Sequence, residues 1–497
     1  MKEKLKFGWA EVSITPEKRP MLAGQFYPRI SQYVETPITV TALAIEAGSE
    51  QAIFCSVDQT HIYASITKGV RKILSRTIPD FDAKKLIINA THTHTAFDYA
   101  DENGIGLDAL EEYLGMQSAP VEGQGNILTD NIFELDEAAA FLKERIAEAA
   151  AEAWENRAPG GYSTGFGRAA VGMCRRVCYT DGSAKMWGDV TRPDFLALEG
   201  GNDNGIEMMF IYGQSDEPTG AILNIACPSQ VVEQRYFVSS DYWGKVKVLL
   251  RRHFGEDFKV LALCSPAGDQ CPRDLVRWVE PETPVEDPNI IRDNPPIRDA
   301  DPSMFDIRGT WTIGRRVATE VIAVYEEEKR TPVREAEFIH HAELMPLPLH
   351  RVTEEENAAA RAALDAFGAA HKGELLTFND DAAMHVHAGI AQRYDYQKTT
   401  SVVPSEVHVV RLGNVAFASD PFELFLDFAN IIRAHSPARQ TFLIQLANDA
   451  LGYLPTEKAE KGGHYSAYVS SGLVGHEGGY LLARNTLAEI EKQFSED

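Results

Sequence analysis

The segment Thr91-His92-Thr93-His94 sets two imidazoles one residue apart, just after the apolar run at 85–90. On an extended strand, residues i and i+2 point to the same side, so both rings can face one metal ion or one substrate. Imidazole is the commonest metal ligand and suits zinc. Taken alone, the pair equally fits two hydrogen-bonded loop histidines. Cys227, in Ala226-Cys227-Pro228-Ser229, also follows a β-rich run. Its thiolate is zinc-ligand chemistry, and a small buried apolar residue is the plainer reading. Cys271 lies in Ser265-Pro266-Ala267-Gly268-Asp269-Gln270-Cys271-Pro272, a tight turn that can present a nucleophile or shape a pocket wall. Pro421-Phe422-Glu423 and Gly452-Tyr453-Leu454-Pro455-Thr456 add a carboxylate and a phenol. Each is ordinary alone, as a helix-start acid and a core tyrosine.

Positions so far apart need a scaffold that returns repeatedly to one place. Residues 38–47 and 51–57 read as strands separated by Gly48-Ser49-Glu50, residues 66–76 as a helix and residues 85–90 as a further strand. The histidine pair therefore sits where a strand ends and a loop begins, a common place for catalytic groups. A helix is predicted over 131–155, stopped by Pro159-Gly160-Gly161, with strands at 207–212, 220–226 and 258–263. Residues 281–302, rich in Pro, Asp and Arg, read as a long surface loop, and 310–328 as a helix. The chain changes character at 334–347, followed by a helix at 354–367, a strand at 407–417 and a final helix at 481–494. The expected class is α/β (mixed α+β), with β-sheets flanked by helices. The expected division is an N-terminal lobe, 1–345, and a C-terminal lobe, 346–497, that completes the site. No internal repeat is visible in the sequence.

The 497 residues suffice for one elaborate domain or two fused ones, and 44% hydrophobic with 24% charged residues is ordinary globular composition. Acidic residues number 73 against 48 basic, a formal net charge of −25. Such a surface repels phosphate backbones and anionic headgroups, so no nucleic acid and no stable membrane association is expected, and a small-molecule substrate is. No apolar stretch follows the basic N-terminal residues and no segment reaches the ~20 apolar residues of a membrane helix. The six cysteines form no Cys-x-x-Cys pair, and the cytoplasm is the expected location. His340-His341 is read as surface or inter-lobe packing, His385-Val386-His387 as an ordinary pair despite its spacing, and His476-Glu477-Gly478-Gly479 as a turn. His464, beside Tyr465, is read as a residue that can line the pocket.

The order of the motifs carries more than any one of them. Gly8-Trp9-Ala10-Glu11-Val12-Ser13-Ile14-Thr15-Pro16, then Ser56-Val57-Asp58, then Thr-His-Thr-His, resembles the neutral ceramidase family, whose catalytic domain starts with a similar Ile-Thr-Pro segment. The resemblance runs from about Gly8 to the final helix. It implies a neutral-ceramidase-like catalytic domain without the C-terminal immunoglobulin-like domain of typical members, and one Zn2+ held by two His, one Glu and one Tyr. The first ligand matches His92. The family histidine of Ala-x-His-Pro falls on Cys227, the glutamate of Pro-Gly-Glu on Glu423, and the tyrosine of Tyr-x-x-Thr on Tyr453. A second active-site tyrosine falls on Tyr465, the second histidine of the pair on His94, and an arginine on Arg175 in Cys174-Arg175-Arg176. The family's active-site serine falls on Cys271. The chain departs from the pattern at Cys227, at Cys271, and at Ala96-Phe97-Asp98, where the family has Gly-Pro-Gly.

The chemistry this implies is zinc-dependent hydrolysis of an amide or ester, since bound zinc lowers the pKa of water to ~7 and polarises a carbonyl. His92, Cys227, Glu423 and Tyr453 are the expected ligands and His94 the proton carrier. Arg175 and Tyr465 are expected to stabilise the oxyanion. Asp58 reads either as a partner to a histidine or as a strand-end structural residue. Altered motifs and the acidic charge point to a small polar substrate rather than ceramide. Three other readings stand beside this one. One is a carbohydrate-active hydrolase or lyase with a platform from Tyr179-Thr180-Asp181, Trp187-Gly188-Asp189 and Tyr242-Trp243. Another makes Cys271 a covalent nucleophile, and the last is a degenerate, non-catalytic binding protein.

Overall fold

The computed structural model describes residues 2–25, 28–101, 110–116, 131–279, 299–300, 306–327 and 331–495. The loop expected at 281–302 lies outside them except for residues 299–300. Strands β1 (Glu3–Ser13), β2 (Thr39–Ala47) and β3 (Glu50–Val57) form an antiparallel meander. Helix α1 (Ala64–Thr77) crosses over, β4 (Leu86–Ala90) returns parallel to β3, and helix α2 (Leu135–Glu155) packs on the same sheet.

The pattern then recurs. Strands β5 (Gly161–Arg168), β6 (Gly205–Tyr212) and β7 (Pro218–Ile225) form a second antiparallel meander. Helix α3 (Asp241–Phe254) crosses to β8 (Lys259–Cys264), parallel to β7, and α4 (Asp306–Glu327) follows. In the third round, β9 (Phe338–Pro348) is separated by helices α5 (Glu354–Ala370) and α6 (Phe378–Tyr396) from β10 (Val402–Leu412) and β11 (Val415–Ser419). Helix α7 (Leu426–His435) crosses to β12 (Gln440–Ile444), parallel to β11, and α8 (His476–Phe494) closes the chain. Three units thus share one topology: antiparallel, antiparallel, helix, parallel, helix. The position 345/346, where the sequence suggests a lobe boundary, falls inside β9, the first strand of the third unit.

The inner strands of each sheet are buried on both faces, which explains apolar runs such as those of β2, β4 and β8. In β2, Leu43 and Ile45 turn inward to a core shared by all three sheets, with Ile222 and Leu261 of the second and Phe417 and Phe442 of the third. The alternate residues Ala42 and Ala44 turn outward, into the cluster that holds Val70 of α1 and Leu142 of α2. The second sheet has its own helix-covered layer with Trp243 and Val317, and the third with Phe428 and Leu482.

A parallel fourth strand leaves a free edge of backbone groups, and such edges must be covered. Here each is covered by a neighbouring unit. Asn89 Nδ2 and Ser56 Oγ of the first unit donate to the carbonyl of Ala262 in β8, at 3.2 and 2.6 Å. Asn224 of the second donates to Leu443 O in β12 at 2.8 Å and accepts from Leu443 N at 3.2 Å. Asn448 of the third accepts from Ile88 N in β4 at 2.8 Å, and Ala90 N donates to Leu446 O at 3.2 Å. First to second, second to third, third to first: the seams close a ring.

Two elements differ from the sequence expectation. The strand expected at 407–417 is two strands, β10 and β11, because Gly413 takes a φ of +59° in the turn between them. Residues 476–479, read as a turn, are the first turn of α8. A Cβ on Gly478 would come within 2.1 Å of Val474 Cγ1, and one on Gly479 within 2.4 Å of Leu454 and Phe428. Packing, not a turn, therefore requires those glycines. No immunoglobulin-like sandwich occurs among the described residues. No helix of the described residues is long and apolar enough to cross a membrane.

Candidate active site

The carboxyl ends of the parallel strand pairs β3/β4, β7/β8 and β11/β12 lead into loops that meet, and the chemistry gathers there. Directly after β4, His92 adopts a left-handed backbone (φ +61°). Its Nδ1 is 2.5 Å from the carbonyl of Thr60, the loop residue after β3, so Nδ1 must carry the proton and donate. In the neutral ring, Nε2 is then a bare lone pair. It faces Glu423 Oε2 at 3.3 Å and His94 Nε2 at 3.3 Å.

Glu423 and Tyr453 are neighbours by construction. The segments Glu423–Leu424 and Tyr453–Leu454 form a short parallel ladder with these two residues in register. Burial raises the Glu423 carboxyl, but His92, Arg175 and a hydrogen bond from Tyr453 bring it below its ordinary range. Burial pushes the Tyr453 phenol well up, reinforced by the Glu423 charge. Tyr465 packs edge-on against Tyr453 at 5.4 Å between ring centres and is pushed up to about 12 by burial. Arg175, 2% exposed, donates to Tyr453 Oη at 3.3 Å, to Gly268 O at 3.0 Å and to Gln230 Oε1 at 3.0 Å, and lies 3.9 Å from Glu423.

His94 is tied to residues that sequence reasoning missed. With Gln230 Oε1 taken by Arg175, Gln230 Nε2 faces Glu233 Oε2 and His94 Nε2, each at 3.2 Å. His94 Nε2 therefore accepts as well. Desolvation, with His92, Arg29 and Arg175 nearby, drives His94 well below its ordinary pKa and keeps it neutral near pH 7. Its Nδ1 lies 3.7 Å from Glu233 Oε2, and its carbonyl takes Arg29 Nη2 at 2.6 Å. A Cβ on Gly24 (φ +91°) would sit 2.5 Å from His94 Nδ1, so only glycine lets that loop pass. Glu233, 2% exposed, pairs with Arg273 Nη2 at 3.0 Å. The cue to Gln230 and Glu233 was their place in the loop begun by Cys227, yet their spacing matches no motif. His61 follows Thr60, packs on Tyr63 at 4.3 Å and is lowered to about 4 by burial beside His92.

Of the expected residues, His92, His94, Arg175, Glu423, Tyr453 and Tyr465 come together. The Cys227 thiol does not join them. It is fully buried in the second unit's core, and its Sγ bonds to the carbonyls of Val171 at 3.6 Å and Pro228 at 3.4 Å. Burial pushes it well above its ordinary pKa. Cys271 forms part of the wall beside Arg175. Its Sγ reaches Arg273 O at 3.3 Å, and burial pushes it up to about 12, the reverse of the shift that activates a thiolate nucleophile. Asp58 meets no histidine ring. It holds Thr39, Thr91 and Lys247, a strand-end role. His464 Nδ1 accepts from the backbone of Met186. His340 is buried in β9 against His408, at 2.8 Å. Residues 385 and 387 lie on helix α6, where i and i+2 face apart. Tyr242 and Trp243 are fully buried in α3, so they offer no sugar platform, and Trp187 is 7% exposed beneath Arg175 and Arg273.

The lone pair on His92 Nε2 facing the Glu423 carboxylate needs a cation or a proton between them, and imidazole, carboxylate and phenol are donors zinc accepts. The residues present therefore fit a divalent metal. Among the described residues no three His, Cys, Asp or Glu side chains form a metal-holding group.

No family model matches the sequence, and no curated protein matches it. Solved structures do. The crystal structure of neutral ceramidase from Pseudomonas aeruginosa superposes with a TM-score of 0.66 at 16% identity, covering 99% of this chain and 75% of that one. This chain has the neutral ceramidase fold. A second structure, described as a ceramidase complexed with C2, gives a TM-score of 0.64 at 14% identity, over 98% of this chain and 74% of that one. At such identities the likeness to neutral ceramidases concerns the fold.

Proposed function

We propose that this chain is a metal-dependent hydrolase that cleaves an amide or ester of a small polar molecule. The observation that carries this reading is the 3.3 Å approach of His92 Nε2 to Glu423 Oε2 beside Tyr453 and Arg175, at the shared end of the sheets. The neutral ceramidase fold supports it. His92, Glu423 and Tyr453 would hold a zinc ion, which when bound supplies a Lewis acid for a carbonyl and lowers the pKa of water.

The remaining steps belong to the chain. His94, neutral and with Nε2 at 3.3 Å from His92 Nε2, takes the proton from the attacking water there, displacing the Gln230 N–H, and returns it to the leaving amine or alkoxide. Arg175 and Tyr465 donate to the oxygen on which negative charge develops, in a buried setting where such bonds are strongest. Gln230, Glu233 and Arg273 give the wall beyond His94 a polar, charged character, which supports a polar substrate over a long acyl chain. The net charge of −25 and the absence of a membrane-crossing helix among the described residues accord with a cytoplasmic enzyme on small molecules.

The test is a panel of small amides and esters assayed with the purified chain before and after exhaustive chelation. Activity lost on chelation and restored by zinc is the expected result. Undiminished turnover in the chelated protein would overturn the reading.

A further inference from the structure

We propose that His340 and His408 hold one proton between them in the folded chain, and that this buried imidazolium is a pH-sensitive latch on the seam between the third unit and the first. The inference does not depend on the metal-dependent reading above.

A line of hydrogen bonds fixes the number of protons. His340 Nδ1 faces the carbonyl of Gln51 in β3 at 3.0 Å, so it must donate. At the other end of the line, His408 Nε2 lies 2.7 Å from Glu406 Oε1. Glu406 is ionised, for it accepts from Arg71 Nη1 at 2.8 Å, Arg71 Nη2 at 2.5 Å and Asn448 Nδ2 at 2.7 Å. Burial raises its carboxyl, but hydrogen bonds from Arg71 and His408 bring it far below its ordinary range. His408 Nε2 therefore donates too. Between these two ends, His340 Nε2 and His408 Nδ1 approach to 2.8 Å. Two neutral rings would present a bare lone pair each at that gap. One further proton closes the line, and there is no room for two.

Asn448 agrees with this count. Its Oδ1 accepts from Ile88 N, which fixes the amide, and its two Nδ2 hydrogens go to Leu86 O at 3.2 Å and to Glu406. None remains for His408 Nε2, 3.0 Å away, so that nitrogen carries a hydrogen of its own.

Both rings are buried. Burial and the neighbouring His408 drive His340 well below its ordinary pKa, which keeps it the neutral partner. Burial lowers His408 as well, while the bond to Glu406 and its charge act the other way, and the alternative of two opposed lone pairs decides for the proton. Further out, Lys85 donates to His340 O and pairs with Glu50 at 2.9 Å, Glu50 accepts from His340 N at 3.2 Å, and His341 lies 3.7 Å from Glu343. Gln51, Arg71 and Lys85 belong to the first unit, and His340, Glu406, His408 and Asn448 to the third. The latch thus spans the seam and holds the segment that runs from β12 to Tyr453.

The proton count sets the pH dependence. In the unfolded chain both rings lose their protons near pH ~6.5. Below that value the unfolded pair binds more protons than the folded one, and above it fewer. The latch therefore stabilises most near pH ~6.5 and loses effect in both directions. Urea unfolding of the full-length protein from about pH 5 to about 8.5 tests this, as the difference in midpoint between wild type and the double variant His340→Gln/His408→Gln. A peak near pH ~6.5 is expected. A difference that climbs through that pH and stays high would mean two neutral rings, and one that only falls would mean two charged rings; either overturns the proposal. Ring 15N spectra of the wild-type protein at about pH 7.5 give a second measurement that needs no variant to fold. They should show two histidines joined by a coupling across an N–H···N hydrogen bond, one with both nitrogens protonated. Two coupled neutral rings, or no coupled pair, would equally overturn it.

Discussion

The first and third units and the second are built alike but end differently. In the first, the chain leaves the unit's fourth strand, β4, for His92, and in the third it leaves the unit's third strand, β11, to reach Glu423 within a few residues, the two side chains meeting at 3.3 Å. In the second, the chain leaves β7 into Cys227, whose thiol turns back into its own core. Shared topology brings the carboxyl ends of the inner strands to one place but does not dictate what each delivers there. The site is an asymmetric use of a threefold frame, with two units supplying acceptors and one supplying the donors of Gln230 and Arg175.

Removing an acceptor should break the asymmetry most. His92→Ala or Glu423→Ala is expected to abolish bound metal and lower kcat/KM by roughly three orders of magnitude, measured on the best substrate of the amide and ester panel. Next come the seams. Asn448 Oδ1 accepts from Ile88 N, and its Nδ2 donates to Leu86 O at 3.2 Å and Glu406 at 2.7 Å. Asn448→Ala leaves these buried groups unpaired and should cost about 2–4 kcal/mol by denaturant unfolding, more than Asn89→Ala, whose seam keeps the Ser56 bond. If all three seam asparagines proved neutral, the ring of units would have no energetic meaning.

Gln230→Leu tests the second unit's own contribution. Metal content should hold while kcat falls about 10-fold, because His94 loses the donor that fixes its orientation. Equal loss of metal and activity would contradict the division of labour. Asp420, at the end of β11, sharpens the third unit's part through pH. Burial raises its carboxyl from an ordinary 3.8 to about 8, opposed only by the Phe422 N–H. Its proton is held in the folded chain and released in the unfolded one between those values, so its stabilisation is complete below pH ~4 and is lost as pH rises through about 8. Asp420→Asn should flatten that decline in Tm between pH 5 and 8 relative to wild type; an unchanged slope would assign the effect elsewhere. The smallest effect belongs to Cys227→Ser, a cost of ~1–2 kcal/mol for a hydroxyl in an apolar setting.

Much of this was legible in the residues. The apolar run before His92 and His94 and their i, i+2 spacing mark a strand-end site, while Glu423 and Tyr453, ordinary alone, stand out only through the resemblance to the neutral ceramidase family; all four reach the centre. Cys227 misled for the same reason: it follows such a run, but side-chain direction after a strand depends on the turn, here Ile225 O to Cys227 N. The repetition of the units was hidden by unequal insertions after each first strand, the longest carrying α5 and α6. Gln230 and the seam asparagines were invisible because a polar amide in a sequence gives no hint of the edge it will cover.

The ring of seams also bears on synthesis. As the nascent chain emerges, β4 is made long before Asn448, so the first unit's edge stays uncapped until about 350 further residues exist. Tyr453 arrives later still. A ribosome product stopped before residue 448 would hold His92, His94 and Glu423 without Tyr453, and an exposed strand edge with nothing to pair it. Activity and protection from aggregation should therefore appear together, once residues 448–453 have been made.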